Sequence, residues 1–310
     1  MIAITGTHGL LASALIPVLT RSGHRVIRLV RRKPAGPDEV FWNPESDAPG
    51  LDSLEGATAV IHLAGESLAG GRWTPDRMRR IDSSRGEATL RLTTALARLR
   101  NPPEVFLCAS ATGYYGDRGD RMLDESSPTG RGFLAGVCQR WEAACEPLNE
   151  RSVRVVRMRL GPVLSPLGGI LARLIPVFRW GLGGPLGSGR QIMSWISLPD
   201  VTRAILHILR TESIAGPVNL TSPHPISNAE FTLALAAALR RPAWIPLPAG
   251  LLRLALGKMA DEALLASARV HPRVLLDSGF QFHHPRMEDA VSRRGSYKAG
   301  ASLDPNGSRC

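Results

Sequence analysis

Strand-length apolar runs alternate with helix-length amphipathic stretches through the first 160 residues, and this rhythm restricts the fold more than any other feature. Residues 2–5 form a short apolar run, followed at once by Gly6-Thr7-His8-Gly9. From Leu10 to Ser22 the apolar positions Leu11, Leu15, Val18 and Leu19 recur at helical spacing, and Gly23 stands where a helix commonly ends. Further strands are predicted over 26–30, 57–63, 105–109 and 153–160. A basic amphipathic helix is predicted over 76–100, ended by Asn101-Pro102-Pro103, and another helix over 133–149. Residues 34–56, rich in Pro, Asp and Gly, read as loop with one short strand. Strands and helices in this alternation imply an α/β protein, a doubly wound parallel sheet with helices on both faces and right-handed crossovers.

After Gly161 the rhythm is lost. Residues 165–190 are rich in Gly and Pro, helices are predicted over 201–211 and 228–240, and 243–292 reads as a small mixed region. The expected organisation is therefore a nucleotide-binding domain over 1–165, a smaller substrate-side domain over 166–292, and a disordered polar tail over 293–310. The composition, 44% hydrophobic and 21% charged, suits a globular protein with a sizeable core. No apolar run is long enough for a membrane helix, and the N-terminus lacks a basic and apolar leader, so a cytoplasmic protein with no membrane span is expected.

The formal charge of +11 invites a nucleic-acid reading. The distribution argues against it. Of the 38 basic residues only Lys33, Lys258 and Lys298 are lysines, and the arginines are spread along the chain without an interleaved aromatic platform. The four cysteines, Cys108, Cys138, Cys145 and Cys310, form no Cys-x-x-Cys pair and have no His partners at zinc spacing, so no metal is expected. Cys108 and Cys145 read as reduced core residues.

Gly6-x-x-Gly9-x-x-Ala12 sits between a strand and a helix, the context a dinucleotide turn requires. Glycine lets the backbone turn tightly and approach a pyrophosphate, Ala12 permits close helix–strand packing, and the helix N-terminus offers free N–H groups to phosphate. The second strand ends in Leu29-Val30-Arg31-Arg32 rather than in the carboxylate that holds the ribose of NAD. A guanidinium suits a 2′-phosphate, so NADP(H) is the expected cofactor.

These segments resemble an extended, atypical short-chain dehydrogenase/reductase of the NAD(P)-dependent epimerase/dehydratase family. The resemblance rests on Thr5-Gly6-Thr7-His8-Gly9, on 61–66 (IHLAGE), on 110–117 (SATGYYGD), on 181–191 (GLGGPLGSGRQ) followed by Ser194-Trp195-Ile196, and on Asn228-Ala229-Glu230-Phe231. It covers about residues 1–292. It implies a Rossmann-type sheet, and homodimers are common among such proteins. It also implies cofactor contacts from Gly6, Thr7, Gly9, Leu10, Leu11, Arg31, Arg32, Leu63, Ala64, Gly65, Arg85, Ser110, Cys138, Gly161 and Val163.

The family's Tyr-x-x-x-Lys pair is missing. Aligning Glu142 with the family's helix glutamate puts Leu134 at the Tyr position and Cys138 at the Lys position, and Arg85 replaces the supporting Asn. None of Tyr114, Tyr115 and Tyr297 has Lys four residues later. Ser110 stands at the expected place, and Tyr114 and Cys138 are the candidates for a replacement acid. On the substrate side the candidates are Arg190, as a charge for an anionic ligand, and Tyr114. His62, inside a strand, reads as a packed residue. Two functions stay open: an NADP(H)-dependent oxidoreductase or epimerase acting on a small molecule, and an NADP(H)-binding regulatory protein without turnover, since some relatives are labelled cell-division inhibitors.

Overall fold

The computed structural model describes residues 1–46 and 51–291. The tail for which disorder is expected, 293–310, lies outside the described residues. In chain order the main elements are β1 (Ile2–Ile4), α1 (Leu10–Arg21), β2 (Val26–Val30), β3 (Glu39–Phe41), β4 (Ala59–His62), α2 (Pro75–Ser83), α3 (Gly86–Ala97), β5 (Val105–Ala111), α4 (Phe133–Ala143), α5 (Glu146–Asn149), β6 (Arg154–Leu160), α6 (Gly169–Arg179), α7 (Leu198–Arg210), β7 (Gly216–Leu220), α8 (Asn228–Leu239) and α9 (Ala249–Leu256).

Seven parallel strands form one sheet in the order β7-β6-β5-β4-β1-β2-β3. The strands send alternate residues to opposite faces. Ile2, Ile4, Ile61 and Leu107 pack with α1 and α7, whereas Ala3, Val60 and Phe106 pack with α3 and α5. Both faces are thus buried, which explains why the strands read as continuous apolar runs. The strand order reverses between β1 and β4, and a crevice opens there beyond the carboxyl ends of the strands.

Four expectations need correction. The predicted helix over 76–100 is two helices, broken at Ser84 and Arg85. Ser84 Oγ accepts from the Glu66 N–H at 3.0 Å and Arg85 Nη2 donates to the Glu66 carbonyl at 2.9 Å, so the chain leaves helical geometry to hold the loop after β4. The helix over 133–149 is also broken, because Pro147 offers no N–H to continue the ladder from α4 into α5. Residues 165–190 contain α6, whose Ile170, Leu171, Leu174, Ile175 and Phe178 recur at helical spacing behind the glycines. Finally, β7 begins Gly216-Pro217 and has no counterpart in the sequence reading. Its edge position leaves the missing Pro217 N–H without a ladder partner to serve.

The sheet layer therefore runs past the boundary expected at residue 165, because α7 and β7 complete it. A separate apolar cluster of Leu171, Phe178, Trp195, Phe231, Leu235 and Met287 forms the core of the smaller region around α6 and α8. Among the described residues no helix is long and apolar enough to cross a membrane.

Candidate functional site

The dinucleotide turn is built on β1. Gly6 has φ +69°, and a Cβ there would stand 2.8 Å from the Leu63 carbonyl carbon and oxygen and 2.9 Å from Ala64 N. Only glycine fits without moving the loop after β4. Gly9 has an ordinary φ of −77° and donates to the Gly6 carbonyl at 2.9 Å, and Ser13 N–H closes the first helical bond to Gly9 O at 2.9 Å. Thr5 anchors the neighbouring loop. Its Oγ1 accepts from Leu63 N–H at 3.0 Å and Ala64 N–H at 3.1 Å, and it meets His62 Nδ1 at 2.8 Å. The two amides occupy the lone pairs of Thr5, so its hydroxyl proton is directed at Nδ1. His62 Nε2–H then donates to Thr89 Oγ1 on α3 at 3.0 Å. His62 is fully buried between Phe106 and Trp42, and burial pushes its pKa down to about 3. It is a neutral packing residue, as the sequence implies.

Above this turn lies a cleft of about 640 Å³, lined among others by Gly6, Thr7, His8, Gly9, Arg31, Arg32, Leu63, Ala64 and Gly65. It is the crevice between β1 and β4. Trp42, Arg80, Ser84 and Arg91 also line it, and the sequence reading did not single them out. The spacing of Arg80 and Arg91 on a basic helical stretch was the available signal. At the end of β2 the two arginines differ. Arg32 is held in a bidentate pair with Glu39, at 2.8 Å and 2.7 Å, and also donates to the Lys33 carbonyl. That hydrogen bonding lowers the Glu39 carboxyl below its ordinary range. Arg31 is exposed, with no ion pair among the described residues.

A second cluster of expected residues, none of which lines the cleft, lies at the carboxyl ends of β5 and β6. Ser110 Oγ donates to Glu142 Oε1 at 2.7 Å. Glu142 is paired with Arg159, Nε to Oε1 at 2.8 Å and Nη2 to Oε2 at 2.9 Å. Arg159 Nη1 donates to Tyr115 Oη at 3.0 Å, and Tyr115 Oη donates to Asn219 Oδ1 of β7 at 2.7 Å. The whole chain of bonds is buried. Burial works against the Arg159 charge, but its pairing with Glu142 outweighs that and leaves its pKa above the ordinary value. Burial pushes the Tyr115 phenol up to about 12, so it does not ionise near neutrality.

Leu134, Cys138 and Glu142 recur every four residues on the face of α4 that meets this network. A Cβ at Gly113 would lie 3.3 Å from Leu134 Cβ and 3.8 Å from Cys138 Sγ, and Glu142 reaches Ser110. Leu134 and Cys138, the positions that the resemblance assigns to the Tyr and the Lys, thus face the end of β5. Burial, followed by the negative charge of Glu142, pushes the Cys138 thiol up to about 12. This counts against the expectation of Cys138 as an acid, because a thiol so placed stays protonated and is a poor proton donor near neutrality. Tyr114 is half-buried, with the Arg159 guanidinium 3.5 Å from its ring centroid. Its hydroxyl has no hydrogen bond among the described residues. Arg85 is buried beside Gly65 and lies 5.0 Å over the Trp141 ring. Burial lowers its pKa from the usual arginine value, and its donors go to the Ile81 and Glu66 carbonyls.

The remaining expected residues are more dispersed. Leu10 and Leu11 open α1, and Leu10 packs on Gly168 and Gly169, bringing the loops after β1 and β6 together. Gly161 lies where a Cβ would meet Ser194 O at 1.9 Å, and Val163 pairs with Ile196, so the Ser-Trp-Ile motif packs on the end of β6 with Trp195 in the core. Arg190 is exposed and is not among the residues that line the cleft. Glu262 gave no sequence signal. Its carboxylate accepts from the Phe133 and Leu134 N–H groups at 2.8 Å and 2.6 Å, capping α4 from a point 128 residues further on.

A profile of the NAD dependent epimerase/dehydratase family matches residues 2–220. The chain belongs to this family. A second profile, a domain of unknown function (DUF1731), matches residues 247–293, which include α9 and Glu262. An epimerase family protein of Mycobacterium leprae is 43% identical over 292 residues, covering 94% of either chain. The structure of human epimerase family protein SDR39U1 (isoform 2) with NADPH matches at a TM-score of 0.85 and 31% identity, over 95% of this chain and 98% of that one. A nucleoside-diphosphate sugar epimerase from Corynebacterium glutamicum matches at 0.79 and 34% identity, over 96% of this chain and 58% of that longer one.

Proposed function

We propose that the chain binds NADPH in the crevice between β1 and β4 and acts in the cytoplasm as an oxidoreductase or epimerase on a small molecule. The charge pattern at the end of β2 carries the reading. Glu39 occupies Arg32, no carboxylate stands directly at the end of β2 to hold a bare ribose, and Arg31 is left for a 2′-phosphate. The Gly6 turn supports it, since a side chain there would fill the space against Leu63 and Ala64 that brings the two loops together. The human relative whose structure contains NADPH supports the choice of cofactor. A cytoplasmic setting suits Cys108, Cys138 and Cys145, all free thiols.

When bound, the nicotinamide supplies or accepts a hydride. The chain's own residues position the reactants and move the proton. Ser110 donates its hydroxyl hydrogen bond to Glu142, so its oxygen accepts toward the site rather than donating to a substrate oxygen. Tyr114, whose hydroxyl has no protein partner among the described residues, is the proposed proton donor, and Arg159 stacked on its ring fixes its position. Gly161 and Val163 would border the cofactor from the end of β6.

One observation favours a second reading, an NADPH-binding regulatory protein without turnover. Leu134 and Cys138 stand where the family's acid and its lysine belong, and neither transfers a proton near neutrality. NADPH fluorescence followed against carbonyl metabolites separates the two. Decay in the wild type that disappears in Tyr114→Phe with NADPH binding retained supports the enzyme. Steady fluorescence with every compound supports the regulator.

A further inference from the structure

The smaller region carries an apolar face that the cofactor cleft does not use. Residues 180–187 and 242–247 run side by side, with Leu247 N–H donating to Pro185 O and Gly187 N–H to Leu247 O, both at 2.9 Å. Helix α9 follows directly, and Arg72 ties its Leu254 carbonyl to the body of the protein at 2.9 Å. Trp180 and Trp244 are 83% and 85% exposed, and Leu254 is 73% exposed. Leu182, Ile245 and Leu251 are exposed beside them, and Leu251 and Leu254 share the outer side of α9 while Leu252 is buried. Burying large apolar side chains is the main source of folding free energy, so leaving two tryptophans and four aliphatics in water marks a surface with a partner.

The charges around this face are mostly basic, although Asp261 pairs with Arg253 at 2.8 Å. Arg179, Arg240, Arg241, Arg253 and Lys258 are exposed. No Asp or Glu occurs from Arg151 to Pro199, or from Phe231 to Ala260. We propose that this face docks on a bilayer carrying anionic phospholipids, with Trp180, Trp244 and the leucines of α9 entering the interface and the arginines meeting the headgroups. Tryptophan prefers the headgroup level of a membrane, and basic side chains beside it add attraction to anionic lipid. A second copy of the chain would bring like charges together across a two-fold interface. A single nucleic-acid strand would stack on the tryptophans but gain little from Leu182, Ile245, Leu251 and Leu254.

The test uses the full chain and vesicles of phosphatidylcholine with about one-third phosphatidylglycerol. The four other tryptophans, Trp42, Trp73, Trp141 and Trp195, are buried, so a shift of emission reports Trp180 and Trp244. The expected result is co-sedimentation and a blue shift with these vesicles, and about tenfold weaker binding to pure phosphatidylcholine and at high salt. Trp180→Ser with Trp244→Ser is expected to weaken binding about tenfold while NADPH binding persists. Arg240→Glu with Arg241→Glu, on the exposed end of α8, is a second variant expected to weaken anionic binding selectively. Absence of wild-type binding to the anionic vesicles would overturn the proposal, as would binding indifferent to both double variants. A blue shift that grows with protein concentration without lipid would assign the face to a second copy instead. Displacement of the chain from vesicles by a single-stranded oligonucleotide would assign it to nucleic acid.

Discussion

Acidification offers a direct probe of the anchor beneath the dinucleotide turn. His62 is neutral and buried, with a pKa pushed down to about 3 from an ordinary 6.5. In the unfolded chain it takes a proton near 6.5, so between those limits the unfolded state binds more protons than the folded one. The contribution of neutral His62 is therefore full above pH 6.5 and is lost as the pH falls toward 3. At about 1.4 kcal/mol per unit, descending from 6.5 to pH 5 costs about 2 kcal/mol, and the whole interval about 5 kcal/mol. Burial is the cause, and the local geometry offers the proton no compensation. Thr5 Oγ1 already accepts from Leu63 and Ala64, so a proton on His62 Nδ1 meets no acceptor. Urea melts of the wild type and His62→Gln at pH 7.5 and about 5 measure the effect. The wild type is expected to lose about 2 kcal/mol more than the variant over that interval. Equal losses in the two proteins would refute the assignment of His62 as the buried neutral group.

Gly6→Ala should lower the affinity for NADPH and destabilise the fold by about 1–3 kcal/mol, because its Cβ meets Leu63 and its φ is left-handed; calorimetry and thermal melts check both. Glu142→Gln leaves the buried Arg159 charge without its carboxylate and is expected to cost about 3–5 kcal/mol, read from urea midpoints. Cys138→Ala should leave NADPH binding within a few-fold of wild type, because a neutral thiol contributes no charge to cofactor recognition.

Five of the seven sheet strands could be read in the sequence as uninterrupted apolar runs, the mark of strands buried on both faces, and β3 falls within the loop that reads with one short strand. β7 could not, since Gly216-Pro217 carries the signal of a turn and only the edge position makes it a strand. The breaks between α2 and α3 and between α4 and α5 had different origins. The second follows from Pro147, which is visible in the sequence, whereas the first comes from Ser84 and Arg85 bonding to Glu66 across the fold. The same division holds for the site. The four-residue spacing of Leu134, Cys138 and Glu142 was legible, because helical spacing puts the three on one face. The linkage of Glu142 to Arg159, Tyr115 and Asn219 joins four elements and leaves no local pattern. Arg31 and Arg32 are equivalent as neighbours in sequence. Only the folded position of Glu39 ties up one and leaves the other available.

The proposed function turns on selection of NADPH by Arg31. Calorimetric titration of the wild type and Arg31→Ala with NADPH and with NADH tests it most directly. Selection by Arg31 predicts at least about tenfold tighter binding of NADPH by the wild type, about 1.4 kcal/mol, the scale of one charge-assisted contact. It also predicts that Arg31→Ala brings the two affinities together while NADH binding stays unchanged. Equal affinities in the wild type, or a preference for NADPH that survives in Arg31→Ala, would contradict it.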